Sequence, residues 1–217
     1  REALDVFYLP RMRSSDVVRL TSLCAPELLA DKSPSGKIII MAHQGRPIML
    51  SSALGLSGLK VGMLSQVIDE RNPHLDATTR RFLNLKMDRT VRIAGGRWVT
   101  TADHLRVLYD AVKQGETIII MMDLVEPDPG RQVPLPFHGG HLKLPPGIIR
   151  IAQRAGAKLY FGRALDQGSK TECSVVPLPA DPLQAMLKAA QLLETDTQKA
   201  PWQWWQWNDL HLLWNKT

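Results

Sequence analysis

Two cysteines, Cys24 and Cys173, are all that this 217-residue chain carries, and neither stands in a C-x-x-C pair or beside a histidine at metal-ligand spacing. That excludes a disulfide scaffold and a zinc ribbon. It fits a reducing compartment in which each thiol serves as a small hydrophobe. No run of roughly eighteen apolar residues exists, so no segment reads as a membrane-spanning helix. No signal peptide is visible. The chain opens abruptly at Arg1-Glu2-Ala3, and an upstream segment is expected to be missing. There is no G-x-S-x-G elbow and no Cys–His signature, so the sequence signals no serine or cysteine nucleophile. Internal repeats and linkers are also lacking.

What is present points to one globular unit. A hydrophobic content of 44% over 217 residues is enough for one sizeable core, and the whole of 1–217 is read as a single domain. Charged residues make up 22%, which excludes a disordered polymer. The net charge of +6 favours anionic partners: an anionic membrane surface, a phosphorylated ligand, an acidic carrier protein or nucleic acid. The nucleic-acid option gains nothing further, because the arginines have no interleaved aromatic platform and no known motif.

Apolar strands alternate with helices along the chain. Helical spacing covers 14–31, followed by the turn Ser33-Pro-Ser-Gly36 and a buried strand over 37–42. A helix is expected over 47–57, with Pro47 tolerated in its first turn. A strand over 60–67, a helix over 76–85 and a strand over 90–93 follow. A helix over 101–113 leads to a second fully apolar strand over 117–122. Residues 127–147 read as a Pro/Gly-rich loop. A short helix over 148–154, strands over 158–161 and 172–176, and a helix over 181–194 complete the reading. This is an α/β pattern: a central, largely parallel or mixed sheet flanked by helices.

Two of the buried strands end in chemistry. Lys37-Ile-Ile-Ile-Met-Ala leads into His43, and Thr117-Ile-Ile-Ile-Met-Met leads into Asp123. Ligands gather at the carboxyl ends of strands in open α/β sheets. His43 is therefore a candidate general base, or else a satisfied strand-end histidine; Asp123 is a candidate acid, or else a turn residue.

Several blocks, in order, resemble a known family. GKIIIMAHQG is similar to the first motif of the lysophospholipid acyltransferase superfamily, in which the histidine precedes an acid as H-x4-D/E. NPHLDATTRRF, KQGETIIIMMD, VPLPFHGGHLKLPPGIIRIAQRAGAKL and KAPWQWWQW resemble successive segments of the branch that acylates lipid A. The resemblance implies a glycerolipid acyltransferase-like fold and acyl transfer from an acyl carrier protein or CoA thioester to a hydroxyl or amine of a lipid or small-molecule acceptor. The acyl group is a fatty acyl or an aminoacyl group. His43 would be the base, the thioester would be a co-substrate rather than a cofactor, and no metal is implied. It also implies work at the cytoplasmic face of the bacterial inner membrane, held peripherally or by an N-terminal segment.

One position departs from the pattern. The acid's place is held by Ile48, and loss of an orienting carboxylate costs on the order of 10⁴ in rate in a related triad. Three readings stay open: a surrogate acid, with Asp123 ahead of Glu126 and Asp69; an amine acceptor that needs less base assistance; or a module that binds lipid or acyl carrier without turnover. Arg46 and Arg131 are candidate anion contacts, with Gln44 beside His43. The 132–147 segment, with Phe137 and Gly147, is expected to wall the acyl or acceptor site. It also holds His138 and His141, which lack a third metal ligand nearby. Arg80, Arg81, Arg89, Arg92 and Arg97 form a basic stretch suited to an acidic carrier or anionic headgroups. Trp202, Trp204, Trp205, Trp207 and Trp214 place five of the six tryptophans in the tail, some to pack on the core and at least one to lie at a lipid or wet boundary.

Overall fold

In the computed structural model, which describes residues 2–11, 13–73, 75–126 and 128–216, the strands are β1 (Thr21–Cys24), β2 (Lys37–Met41), β3 (Val61–Ser65), β4 (Gly95–Thr100), β5 (Thr117–Met121), β6 (Val133–Phe137), β7 (Gly140–Leu144), β8 (Lys158–Gln167), β9 (Lys170–Pro177) and β10 (Trp214–Lys216). Seven of them build one sheet in the order β1-β9-β8-β2-β5-β3-β4. Every neighbouring pair in it is parallel except the β8–β9 hairpin. The remaining three form a small antiparallel sheet, β10-β7-β6.

The helices are α1 (Glu2–Tyr8), α2 (Ser14–Leu20), α3 (Pro26–Ala30), α4 (Pro47–Leu56), α5 (Ala77–Ala94), α6 (Arg106–Lys113), α7 (Gly147–Ala155), α8 (Pro182–Lys199) and α9 (Leu210–Leu213). They cover both faces of the large sheet. Alternate residues of the central strands go to opposite cores. Ile38, Ile40, Ile118 and Ile120 join α6, α7, α8 and the small sheet. Ile39, Met41 and Ile119 join α3, α4 and α5. A strand buried on both sides needs apolar residues at every position, which is what the Ile-Ile-Ile runs of β2 and β5 supply.

Three expectations from the sequence are corrected. The stretch 14–31 is not one helix. Thr21 turns its hydroxyl back onto the Val17 carbonyl at 2.7 Å, the chain extends as edge strand β1, and Pro26 then opens α3. The strand expected over 90–93 is instead the last turn of α5. That helix starts at an Asp76 cap accepting from the Thr79 amide at 2.7 Å and stops only at Gly95, whose φ of 74° is left-handed. Finally, 127–147 holds the β6–β7 hairpin, turned by His138 and Gly139 at positive φ. Its two prolines, Pro134 and Pro136, sit on β6, an edge of the small sheet where a missing N–H is tolerated. Pro127, in the expected loop, and His74, in the Asn72–Asp76 turn, lie outside the described residues.

β2 and β5 pair in register, Lys37 with Thr117 through Met41 with Met121. The ladder continues with the Met122 amide donating to the Met41 carbonyl at 2.7 Å. His43 and Asp123 each lie two residues beyond that last pair and so leave the sheet side by side. Gly45 then bends the chain into α4 at φ 62°. A Cβ added there would lie 2.1 Å from the Ala164 carbonyl oxygen of β8. Gly45→Ala is expected to lower stability by about 2 kcal/mol, through backbone strain and that clash, as measured by urea unfolding. An unchanged midpoint would show that the turn relaxes freely.

Candidate active site

Asp123 is fully buried and its carboxylate accepts three hydrogen bonds. His43 Nδ1 donates to Oδ1 at 2.8 Å, the His43 backbone N–H to Oδ2 at 2.8 Å, and the Trp204 indole Nε1–H to Oδ2 at 2.9 Å. Burial disfavours the charged form of Asp123, but the neighbouring His43 charge and these donors outweigh it and hold the carboxyl below its ordinary range. An ionised Asp123 fixes the proton of His43 on Nδ1 and leaves Nε2 as the basic nitrogen.

The C-terminal segment completes this pair. The Trp205 amide donates to the His43 carbonyl at 2.9 Å and the Gly45 amide to the Gln203 carbonyl at 2.9 Å. Gln206 Nε2 donates to the Asp123 carbonyl at 2.8 Å. The Trp205 ring lies 5.9 Å from the His43 ring, and the Lys86 ammonium lies 5.4 Å from the Trp205 ring centre. Trp204 is buried against Phe137 and Trp207, whereas Trp202 is 77% exposed.

His43 lines a cavity of about 200 Å³ together with Ile48, Met63, Leu83, Met87 and Ile119. Ile48, where the resembled family carries an acid, also packs on Val6 and Leu9. The apolar residue thus belongs to the cavity wall, while a carboxylate reaches His43 from β5. A second cavity, of about 390 Å³, shares Leu64, Val67, Met121 and Leu124 with the first and extends to Gly147, Ile148 and Ile151.

The other expected site residues are placed as follows. Arg46 is buried, and its guanidinium grips the Asp5 carboxylate of α1 through Nε at 2.7 Å and through Nη2. It lines a shallow hollow with Trp202, Trp205 and Asp166, apart from the His43 cavity. Gln44 is buried, and its side-chain nitrogen has no hydrogen-bond partner among the described residues. Arg131 is exposed on a short turn after β5. Phe137 lies in the core, and Gly147 borders the second cavity. Of the alternative acids, Asp69 pairs with Arg71, and Glu126 accepts from the Asp128 amide. His138 bonds to Thr197 through Nε2 at 2.8 Å, and no cluster able to hold a metal ion exists among the described residues. In the basic stretch, Arg89 donates to the Val6 carbonyl, Arg92 pairs with Asp88 and Arg97 with Glu116.

Burial pushes the Cys173 thiol up to about 12, which removes it as a nucleophile. The residues that sequence reasoning missed are Asp5, Trp204 as a carboxylate donor, Gln206 and Lys86. The Trp/Gln-rich tail was the available signal for two of them.

No family model matches the sequence, and no curated protein does. Among solved structures, the chain is similar to the crystal structure of the 1-acyl-sn-glycerophosphate (LPA) acyltransferase PlsC from Thermotoga maritima. The two are 13% identical, the match covers 91% of this chain and 78% of that one, and the TM-score is 0.45.

Asp5→Ala leaves the buried Arg46 charge without its partner and is expected to reduce stability by about 3 kcal/mol, read by urea unfolding. The folded-state pKa of Asp123 lies below its unfolded value, so its contribution to stability is complete above about pH 4 and is lost as pH falls through the folded value. The stability gap between wild type and Asp123→Asn should narrow as the pH falls below about 4; a gap that widens on acidification in that range would reverse the assigned sign.

Proposed function

We propose that this chain is an acyltransferase, moving a fatty acyl or aminoacyl group from a carrier-protein or CoA thioester to a hydroxyl or amine of a lipid or small-molecule acceptor. The observation that carries this reading is the His43–Asp123 pair, with His43 lining a mostly apolar cavity. The resemblance of the sequence blocks is consistent with it.

The chemistry follows from the hydrogen bonds. Nε2 of His43 takes the acceptor proton as the acceptor oxygen or nitrogen attacks the thioester carbonyl. Asp123 keeps the imidazole in the Nδ1–H tautomer and stabilises the imidazolium that forms. The tetrahedral intermediate collapses, the C–S bond breaks, and the departing thiolate receives the proton from Nε2. No acyl-enzyme is required, and the surrogate acid of the three earlier readings is Asp123. The acyl chain occupies the apolar cavity, with Gly147 and the second cavity on the acceptor side. Arg131, which is exposed, remains available for an anionic group, and Arg71 lines the second cavity.

Peripheral attachment to the cytoplasmic face of the bacterial inner membrane is part of this reading. Its support is the net charge of +6 and the exposed aromatic Trp202. No helix among the described residues is long and apolar enough to cross a membrane.

The test is turnover of acyl-carrier and acyl-CoA thioesters. His43→Ala is expected to lower kcat by at least about 100-fold, with the melting temperature and thioester affinity retained. A wild-type protein that binds thioesters but turns none over would instead be a carrier-binding module.

A further inference from the structure

The Asp123 carboxylate has two oxygens with different duties. Oδ1 faces Nδ1 of His43, and Oδ2 is held between the His43 backbone N–H and the indole N–H of Trp204. The backbone donor leaves β2 beside Asp123 leaving the paired strand β5, so it comes with the sheet. The indole donor does not. It arrives from a segment 81 residues later in the chain, and it is anchored independently of the carboxylate. Trp204 is buried, packs its ring on Phe137 and Trp207 at 5.4 and 4.9 Å, and forms a backbone bridge with Gln44. A side chain so fixed offers its single donor in one direction only.

We propose that Trp204 is a positioning residue for the His43–Asp123 pair. Its indole N–H pins Oδ2, stops rotation of the carboxylate and sets how strongly Oδ1 accepts from Nδ1. The proposal refines the acyltransferase reading but rests on hydrogen bonds that exist with or without turnover. In a water-free setting each donor to a carboxylate stabilises its charge. Removing the indole N–H makes the anion less stable and raises the proton affinity of the pair as a unit. The base is then protonated at higher pH, and the acid limb of the pH–rate profile moves upward. A carboxylate free to turn leaves the imidazole less well aligned, so kcat should fall about tenfold.

Two variants separate the donor from the bulk of the ring. Trp204→Phe removes the N–H and part of the volume. Replacing Trp204 with 3-benzothienylalanine removes the N–H while keeping size and shape. Trp98→Phe is the control: Trp98, on the edge strand β4, donates its indole N–H to the Ser65 hydroxyl at 2.9 Å, away from the pair. The primary readout is the imidazole Nδ1–H proton signal, which needs no substrate; Asp123→Asn, with its altered partner, assigns it. Both Trp204 variants are expected to shift this signal and move the acid limb to higher pH, and Trp98→Phe to do neither. An Nδ1–H signal in the benzothienyl variant identical to the wild type overturns the proposal, even if kcat drops through loosened packing. Absence of the signal in the wild-type protein overturns it as well. A shifted signal in a protein that turns over no thioester upholds the positioning role and rejects the acyltransferase reading.

Discussion

The in-register pairing of β2 with β5 is the constraint on which the rest of the site depends. Each strand is a run of isoleucines buried on both faces, so a slip by one residue would still bury isoleucine against isoleucine. Hydrophobicity alone therefore fixes the register weakly here, unlike in a sheet with one wet face. The ends break the degeneracy. A slip would move Asp123 by about 3.3 Å along the strand and separate its carboxylate from both nitrogens of His43. The polar termini of these two strands thus act on the sheet as much as the sheet acts on them.

The replacement of an expected acid by Ile48 then becomes intelligible as a division of labour. Position 48 lies in the first turn of α4, where its side chain faces α1 and the cavity. A carboxylate there would require a polar partner in an apolar wall. Asp123 approaches from the next strand, where His43 itself, a backbone N–H and an indole satisfy it. The buried charge is compensated where donors already exist, and the wall stays apolar.

Much of this was legible in the sequence because the strongest signals were local. The two apolar strands, their polar endings and the α/β alternation follow from runs of five or six residues and their flanks. The Asp123 side chain could be nominated from strand order alone. The misplaced strand at 90–93 shows the limit: Val91 and Ile93 look extended by composition, but Met87, Thr90 and Ala94 form a buried helical stripe that tertiary packing rewards. Arg46 shows another. Its neighbours suggested a substrate contact, whereas its partner Asp5 lies 41 residues away on a helix with no pattern linking the two. The role of Trp204 was hidden for the same reason, since a tryptophan-rich tail advertises burial or a lipid boundary long before it advertises one hydrogen bond.

The tail has a consequence for local opening. His43 and Asp123 are set by the pairing of β2 with β5, whereas the bridge of Gln44 to Trp204 and the bond from Gln206 to Asp123 come from a segment that follows α8 and belongs to neither strand. Segments held by few bonds open at lower free energy than the central strands of a sheet. Detachment of this one would uncover the imidazole and leave the pair of strands beneath it intact.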